Sequence, residues 1–202
     1  MASKTPTTEK ILRLARQKGI LRVRDLAEHG IHPEYLRRLC AEGKLERTGR
    51  GLYRLPGGDY SANVTLVEAA RRVPHGVVCL LSALRFHEIG TQLPHEVWMM
   101  IERRAALPRI DYPRMRFFRA SGEAFTAGVE HRRIDRTEVA IYGVAKTVAD
   151  CFKYRNKIGL DVALEALRES LRSKRATVDE LWKYARICRV ERVMRPYLEA
   201  MV

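Results

Sequence analysis

The chain's densest chemistry lies between His32 and Arg54. His32, Glu34, Tyr35, Arg37 and Arg38 fall within seven residues, and Lys44, Arg47, Arg50 and Arg54 follow at intervals of three to six. No two of these form a general acid–base pair at a spacing that catalysis would need. What the set can do is bind an anion. A guanidinium fork pairs bidentately with the O6 and N7 edge of guanine, whereas a lysine meets a phosphate oxygen as a point charge. His32, Glu34, Tyr35 and Arg38 are the base-edge candidates and Lys44 the phosphate candidate.

Such groups need a scaffold that offers them together. Val23, Leu26 and Ala27 share one face of a short helix, and Gly30 stands where a helix commonly ends in a left-handed residue. Pro33 then suits the first turn of the next helix. In that helix Leu36, Leu39 and Cys40 share one face, with Glu34, Arg37, Arg38 and Ala41 opposite. A helix with adjacent arginines opposite its core face, docked by a tight turn on a second helix, has the form that enters a major groove. Leu45-Glu46-Arg47 and Leu52-Tyr53-Arg54-Leu55 read as two strands around the loop Thr48-Gly49-Arg50-Gly51, whose glycines permit a hairpin. Arg50 would stand at the tip of this wing. Upstream, Thr7 or Thr8 is expected to cap a helix carrying Ile11, Leu12, Leu14 and Ala15, stopped at Gly19.

The net charge is +14 over 202 residues, which predicts attraction to polyanions and says nothing of fold. Residues 1–58 carry 13 Lys and Arg against 6 Asp and Glu, half the surplus in under a third of the length. The chain is 46% apolar, enough for a buried core, yet no run of about 18 apolar residues occurs. The first ten residues lack an apolar signal core, so the expected location is the cytoplasm. Cys40, Cys79, Cys151 and Cys188 are widely spaced, with no C-x-x-C pair, so reduced thiols are expected rather than disulfides or zinc.

Pro56-Gly57-Gly58-Asp59 is the clearest break, placing a winged helix-turn-helix over residues 1–57 and a second domain over 58–202. Asp59 or Ser61 is expected to cap a helix reaching about Arg72, and Val77 to His87 reads as mostly helical. Glu96–Glu102 and Arg114–Arg119 read as strands, as do Val129–Ile134 and Glu138–Tyr142 around Asp135-Arg136-Thr137. Helices follow from Lys146 to Tyr154, from Asp161 to Leu171, after the cap Thr177, and around Val193 to Met201, where Pro196 should kink or break the last. The expected fold class is α+β: a winged helix-turn-helix, then a mixed domain with a small sheet and C-terminal helices.

Catalytic spacing is scarce. Gly43-Lys44 is followed by Leu45 rather than by the Ser or Thr of a phosphate-binding loop. No Asp-x-Asp or Asp-x-Glu pair exists to hold magnesium, and the sole acid-x-Lys, Glu42-Gly43-Lys44, has a simpler surface role. His75 and Cys79 are four apart, but Pro74 and Gly76 oppose the helix that would align them. Ser82 lacks a Gly-x-Ser-x-Gly frame. The reading is therefore no enzyme, no metal and no cofactor. Arg103, Arg104, Arg109, Arg114, Arg116 and Arg119, opposed only by Asp111, read equally as a second polyanion surface or as the solvent face of two strands.

Residues 20–58 resemble the N-terminal domain of the AbiEi antitoxins of bacterial abortive-infection systems. Ala145-Lys146-Thr147-Val148-Ala149-Asp150-Cys151-Phe152-Lys153-Tyr154-Arg155 through Asp161 resembles that family's C-terminal signature. The resemblance spans about Thr8 to Leu171. It implies a type IV antitoxin that binds inverted repeats in double-stranded operator DNA and represses its own operon. It also implies opposition to a nucleotidyltransferase-like toxin without direct contact. With no apolar run of spanning length, no membrane is expected as a partner, and a monomer or weak dimer that can pair on DNA is expected. Lys146, Asp150, Lys153, Tyr154 and Arg155 match the signature, and a structural role for Asp150 is favoured because it sits among helical core residues. The alternatives are an ordinary winged-helix regulator with a ligand-sensing or dimerisation domain and, more remotely, a nuclease delivered by the wing.

Overall fold

The computed structural model describes residues 6–49, 51–57 and 63–201. They form an α+β fold in two compact units. The first runs to Pro74 and includes Ile110–Pro113 and Arg133–Val139; the second holds His75–Arg109, Arg114–Arg132 and the chain from Ala140 onward.

The first unit contains α1 (Pro6–Lys18), β1 (Leu21–Arg22), α2 (Val23–Ala27), α3 (Glu34–Ala41), β2 (Glu46–Gly49), β3 (Leu52–Arg54) and α4 (Val64–Arg72). Its core is Ile11, Leu14 and Ala15 of α1, Leu21, Leu26, Ile31, Leu36 and Leu39, closed by Leu45 and Tyr53. The strands form an antiparallel sheet in the order β1-β3-β2, with Leu21 opposite Tyr53 and Glu46 opposite Arg54. Helix α1 begins at Pro6, so Thr7 and Thr8 lie inside its first turn and do not cap it. Proline is favoured there because its missing N–H has no intrahelical partner to lose.

The unit runs past the Pro56-Gly57 break because α4 is bonded into it. Arg22 Nη1 donates to the Arg71 carbonyl at 3.2 Å, and Arg71 Nη2 donates to the Lys18 carbonyl at 3.1 Å and to Thr137 Oγ1 at 3.2 Å. The cap expected at Asp59 or Ser61 lies outside the described residues.

A five-stranded sheet, β6-β5-β4-β8-β7, is made of β4 (Val77–Val78), β5 (Val97–Glu102), β6 (Met115–Ala120), β7 (Val129–Ile134) and β8 (Thr137–Tyr142), and it belongs to the second unit except for the end of the β7–β8 hairpin, Arg133–Val139, which is counted with the first. Strand β5 runs parallel to β6 and antiparallel to β4, and β4 runs parallel to β8. Val77 to His87 is helical over most of its length, but not at its start. Val77 and Val78 extend into the sheet, Cys79 keeps extended angles, and α5 (Leu80–Phe86) starts after it. The hairpin β7–β8 turns on two residues, Asp135 and Arg136, both at positive φ, while Thr137 is already in the strand.

The remaining helices are α6 (Glu123–Thr126), α7 (Val144–Lys153), α8 (Arg155–Ile158), α9 (Leu160–Arg172), α10 (Val178–Ile187) and α11 (Glu191–Glu199). Thr177 caps α10 as expected: its hydroxyl accepts from the Glu180 amide, and the Glu180 carboxylate accepts from the Thr177 amide. Helix α11 continues through Pro196, where a kink or break was expected. Every residue of α7 from Ala145 to Phe152 is buried, which makes it the central helix of this unit's core.

Candidate nucleic-acid interface

Helix α3 is held at both ends by the same device. At Gly30 (φ 65°) the Ile31 amide donates to the Leu26 carbonyl and the Gly30 amide to that of Ala27, both at 3.0 Å. At Gly43 (φ 66°) the Lys44 amide donates to the Leu39 carbonyl at 2.8 Å and the Gly43 amide to that of Cys40 at 3.0 Å. These paired bonds close a helix around a left-handed residue that glycine adopts without strain. The first closure ends α2 and sets the angle at which α3 departs. The second aims Lys44 back beside the end of α3.

Between these closures Leu36 and Leu39 are buried, while Glu34, Arg37, Arg38 and Ala41 are exposed and Tyr35 is half-buried. Glu34, Tyr35, Arg37, Arg38 and Ala41 line one shallow depression of about 320 Å³. The exposed His32 stands just ahead of it, and its Nδ1 accepts the Glu34 amide at 3.2 Å. A ring nitrogen that accepts an amide is unprotonated, so in the neutral ring Nε2 carries the hydrogen and is a donor.

The cations of this face are paired within the chain. Arg37 lies 3.8 Å from Glu34, Arg38 Nε donates to Glu42 at 3.1 Å, and Lys44 Nζ donates to the other oxygen of Glu42 at 2.7 Å. The Arg38 guanidinium also lies over the Tyr35 ring at 5.8 Å. These surface contacts are weak and screened, so a phosphate can replace them.

The wing arginines do not form one set. Arg54 stands opposite Glu46 and bonds it at 3.1 Å, whereas Arg47 stands opposite Tyr53 and folds onto the Gly49 carbonyl at 3.3 Å. Adjacent ladder positions point to opposite faces, so Arg47 and Arg54 leave the wing on different sides. Arg50 lies outside the described residues.

Asp25, a residue with no catalytic or binding motif around it in the sequence, is fully buried. Its Oδ2 accepts the Arg22 amide at 2.7 Å, and its Oδ1 accepts Lys18 Nζ at 3.0 Å and Arg22 Nη2 at 3.1 Å. Burial pushes the carboxyl up, but the hydrogen bonds from the Arg22 side chain and amide and from Lys18 outweigh it and hold Asp25 below its ordinary range. Asp25 thereby anchors the start of α2, on which α3 is docked. The available signal was an acid three residues after the last extended residue, the spacing of a capping box.

The five signature residues of the second unit split by burial. Lys146 and Asp150 are enclosed in α7 and paired at 2.5 Å. Lys146 Nζ lies 3.9 Å from the centre of the Tyr142 ring, and Cys188 Sγ donates to Asp150 at 3.3 Å. Burial, with the Asp150 carboxylate beside it, pushes the Cys188 thiol up to about 12, so it keeps its proton. Tyr154 donates to the Arg119 carbonyl at 3.3 Å and Arg155 to that of Phe152 at 2.9 Å, while Lys153 is exposed. Among the described residues, no group of three His, Cys, Asp or Glu side chains is placed to hold a metal, and no helix is long and apolar enough to cross a membrane.

Architecture and exposed helix together define a winged helix-turn-helix joined to an α+β unit. Residues 9–56, from α1 through β3, match the family described as "Transcriptional regulator, AbiEi antitoxin". No curated protein matches the chain. Among solved structures it is similar to the RV2827C protein from Mycobacterium tuberculosis, with a TM-score of 0.58 and 16% identity over 89% of this chain and 71% of that one. At that identity the likeness shows the fold alone.

Proposed function

We propose that the protein is a DNA-binding antitoxin of the type IV kind, which represses its own operon and opposes a nucleotidyltransferase-like toxin. The observation that carries the DNA-binding half is the outward face of α3, where Glu34, Tyr35, Arg37 and Arg38 surround one depression beside His32. The family match over residues 9–56 supports the regulatory role. Residues 1–57 are the DNA-reading part in this reading, and Lys44, Arg47, Arg50 and Arg54 meet phosphates. Two copies on an inverted repeat require half-sites about one helical turn apart, or a multiple of it. Lys146 and Asp150 hold the second domain together and take no part in chemistry.

The test has two arms. Fluorescence anisotropy on the chain's own upstream DNA, against scrambled duplex at moderate salt, measures operator reading; equal affinity for both overturns it. Rescue of cells expressing the neighbouring toxin measures the antitoxin role. Repression without rescue would leave an ordinary winged-helix regulator.

A further inference from the structure

Outside α3, one other part of the molecule gathers cations. A cleft of about 1050 Å³ in the second unit is lined by Arg103 after β5, Arg119 on β6, Lys153 at the end of α7, and Arg186 and Arg189 at and just beyond the end of α10. All five are exposed, and Glu123 is the one carboxylate in the lining. Elsewhere in this unit Arg116 pairs with Glu96, Arg132 with Glu130 and Arg195 with Glu191, whereas among the described residues Arg168 and Arg192 stand singly on the surface, so what marks the cleft is the gathering of its cations around one recess. Among the described residues none of the five cleft cations has such a pair. The helix dipole favours a cation at the ends of α7 and α10, which accounts for Lys153 and Arg186 but not for Arg103 or Arg119. Arg119 is also fixed in place. Its Nη1 donates to the carbonyls of Arg103 at 2.5 Å and Ala105 at 2.9 Å, which leaves the other donors of a rigid fork for a ligand.

We infer that this cleft binds a single polynucleotide strand through its phosphates, independently of the duplex read by α3. Five cations around one recess attract a polyanion, and a flexible phosphate backbone can bring successive charges to all of them. The recess is concave, and a duplex is a stiff rod with its phosphates outside, so only a strand that can bend follows the lining. Its volume lies just above the usual range of small-ligand pockets, about 300–1,000 Å³, which is room for more than one nucleotide. No aromatic side chain lines it. Bases are therefore not stacked on rings, and recognition is of backbone, with little preference for sequence.

The test is anisotropy of the full chain with one short labelled oligonucleotide as RNA, as DNA and as duplex DNA, at several salt concentrations. It is run in an Arg38→Ala/Lys44→Ala background so that α3 contributes little. The single strands should bind more tightly than the duplex. Adding Arg103→Gln, Arg186→Gln and Arg189→Gly should lower the slope of log K against log salt by about two, at about 0.7 per cation for single strands. Arg189 already holds a left-handed backbone (φ 58°), so glycine removes its charge without straining the turn, and thermal melting checks that the fold persists. A triple variant that binds single strands as tightly as its parent, or a duplex bound at least as well as either strand, overturns the inference. Preference for RNA over DNA identifies the natural strand, and either single strand retained by the cleft upholds the proposal. Operator binding by the triple variant on the unaltered α3 should stay at the wild-type level, so failure here is separable from failure of the proposed function.

Discussion

Glu42 accepts hydrogen bonds from Arg38 on one oxygen, at 3.1 Å, and from Lys44 on the other, at 2.7 Å. One exposed carboxylate therefore holds two cations of the outward face of α3 together. Lys44 first, then Arg38, pulls its proton affinity below the ordinary glutamate range. A phosphate brought to this face must displace Glu42 and is repelled by it. Glu42→Gln should therefore tighten binding to any duplex several-fold, operator or scrambled, and narrow the ratio between them. Arg38→Ala should cost about 1–3 kcal/mol on the operator and relax specificity at one position, whereas Lys44→Ala should weaken all sequences alike and lower the salt slope by about one. Anisotropy titrations over a salt series separate the three.

Asp25 ties Lys18 at the end of α1 to Arg22 ahead of α2. Asparagine keeps one acceptor oxygen but loses the charge that faces two cations and turns an NH2 toward a donor, so Asp25→Asn should destabilise the first unit by about 2–3 kcal/mol. Its carboxyl is depressed in the folded chain, so its stabilisation is present above the unfolded value and is lost as pH falls through the folded one. The gap between Asp25→Asn and wild type in chemical denaturation should thus close in acid. A gap that stays constant down to the acid limit would mean Asp25 contributes packing and not charge.

Lys146 and Asp150 form an ion pair with almost no solvent contact. Removing one partner strands a buried charge, so Lys146→Met should cost about 3–5 kcal/mol. Replacing both, as Lys146→Met with Asp150→Leu, should recover most of that loss, because a buried pair is often no more stable than apolar residues of similar volume. If the double variant also keeps toxin rescue, the pair is scaffold. A well-folded double variant that loses rescue would give it a functional part.

The legible parts of the chain are those whose signal is local. The core face of α3 repeats at helical spacing between Gly30 and Gly43, and β5 and β6 are dense apolar and alternating runs that the sheet keeps in register from Val97 beside Met115 to Glu102 beside Ala120. What escaped is short or assembled over distance. Strand β4 is two buried valines with no alternation to see, and its neighbours β5 and β8 lie about 20 and 60 residues away. Pro196 broke a rule without breaking α11. The bonds that join α4 to the first unit bring Arg71 to Thr137 across 66 residues, so a composition break at Gly57 could not reveal them. Of the six arginines from Arg103 to Arg119, sequence could not separate Arg116, which pairs with Glu96 and covers the Trp98 ring at 4.7 Å, from Arg103 and Arg119, which line the cleft.

Glu68 stands on the buried side of α4, 2% exposed, with its Oε2 lacking a hydrogen-bond partner among the described residues. Burial pushes this carboxyl up from 4.5, against the pull of the Thr48 hydroxyl on β2 and the charges of Arg54 and Arg72. A raised carboxyl stabilises the fold when protonated: the contribution is complete below the unfolded value and is lost as pH rises through the folded one. At neutral pH the ionised group is therefore a net cost that an amide of the same shape avoids. Glu68→Gln should raise the unfolding temperature at pH 7, and the advantage should shrink as pH falls toward 4.5. Amide exchange in α4 and β2 is the measurement that locates the change. Slower exchange there at pH 7, with the second unit unchanged, is the expected result. Faster exchange would mean that the charge of Glu68 holds Arg72 and the wing in place.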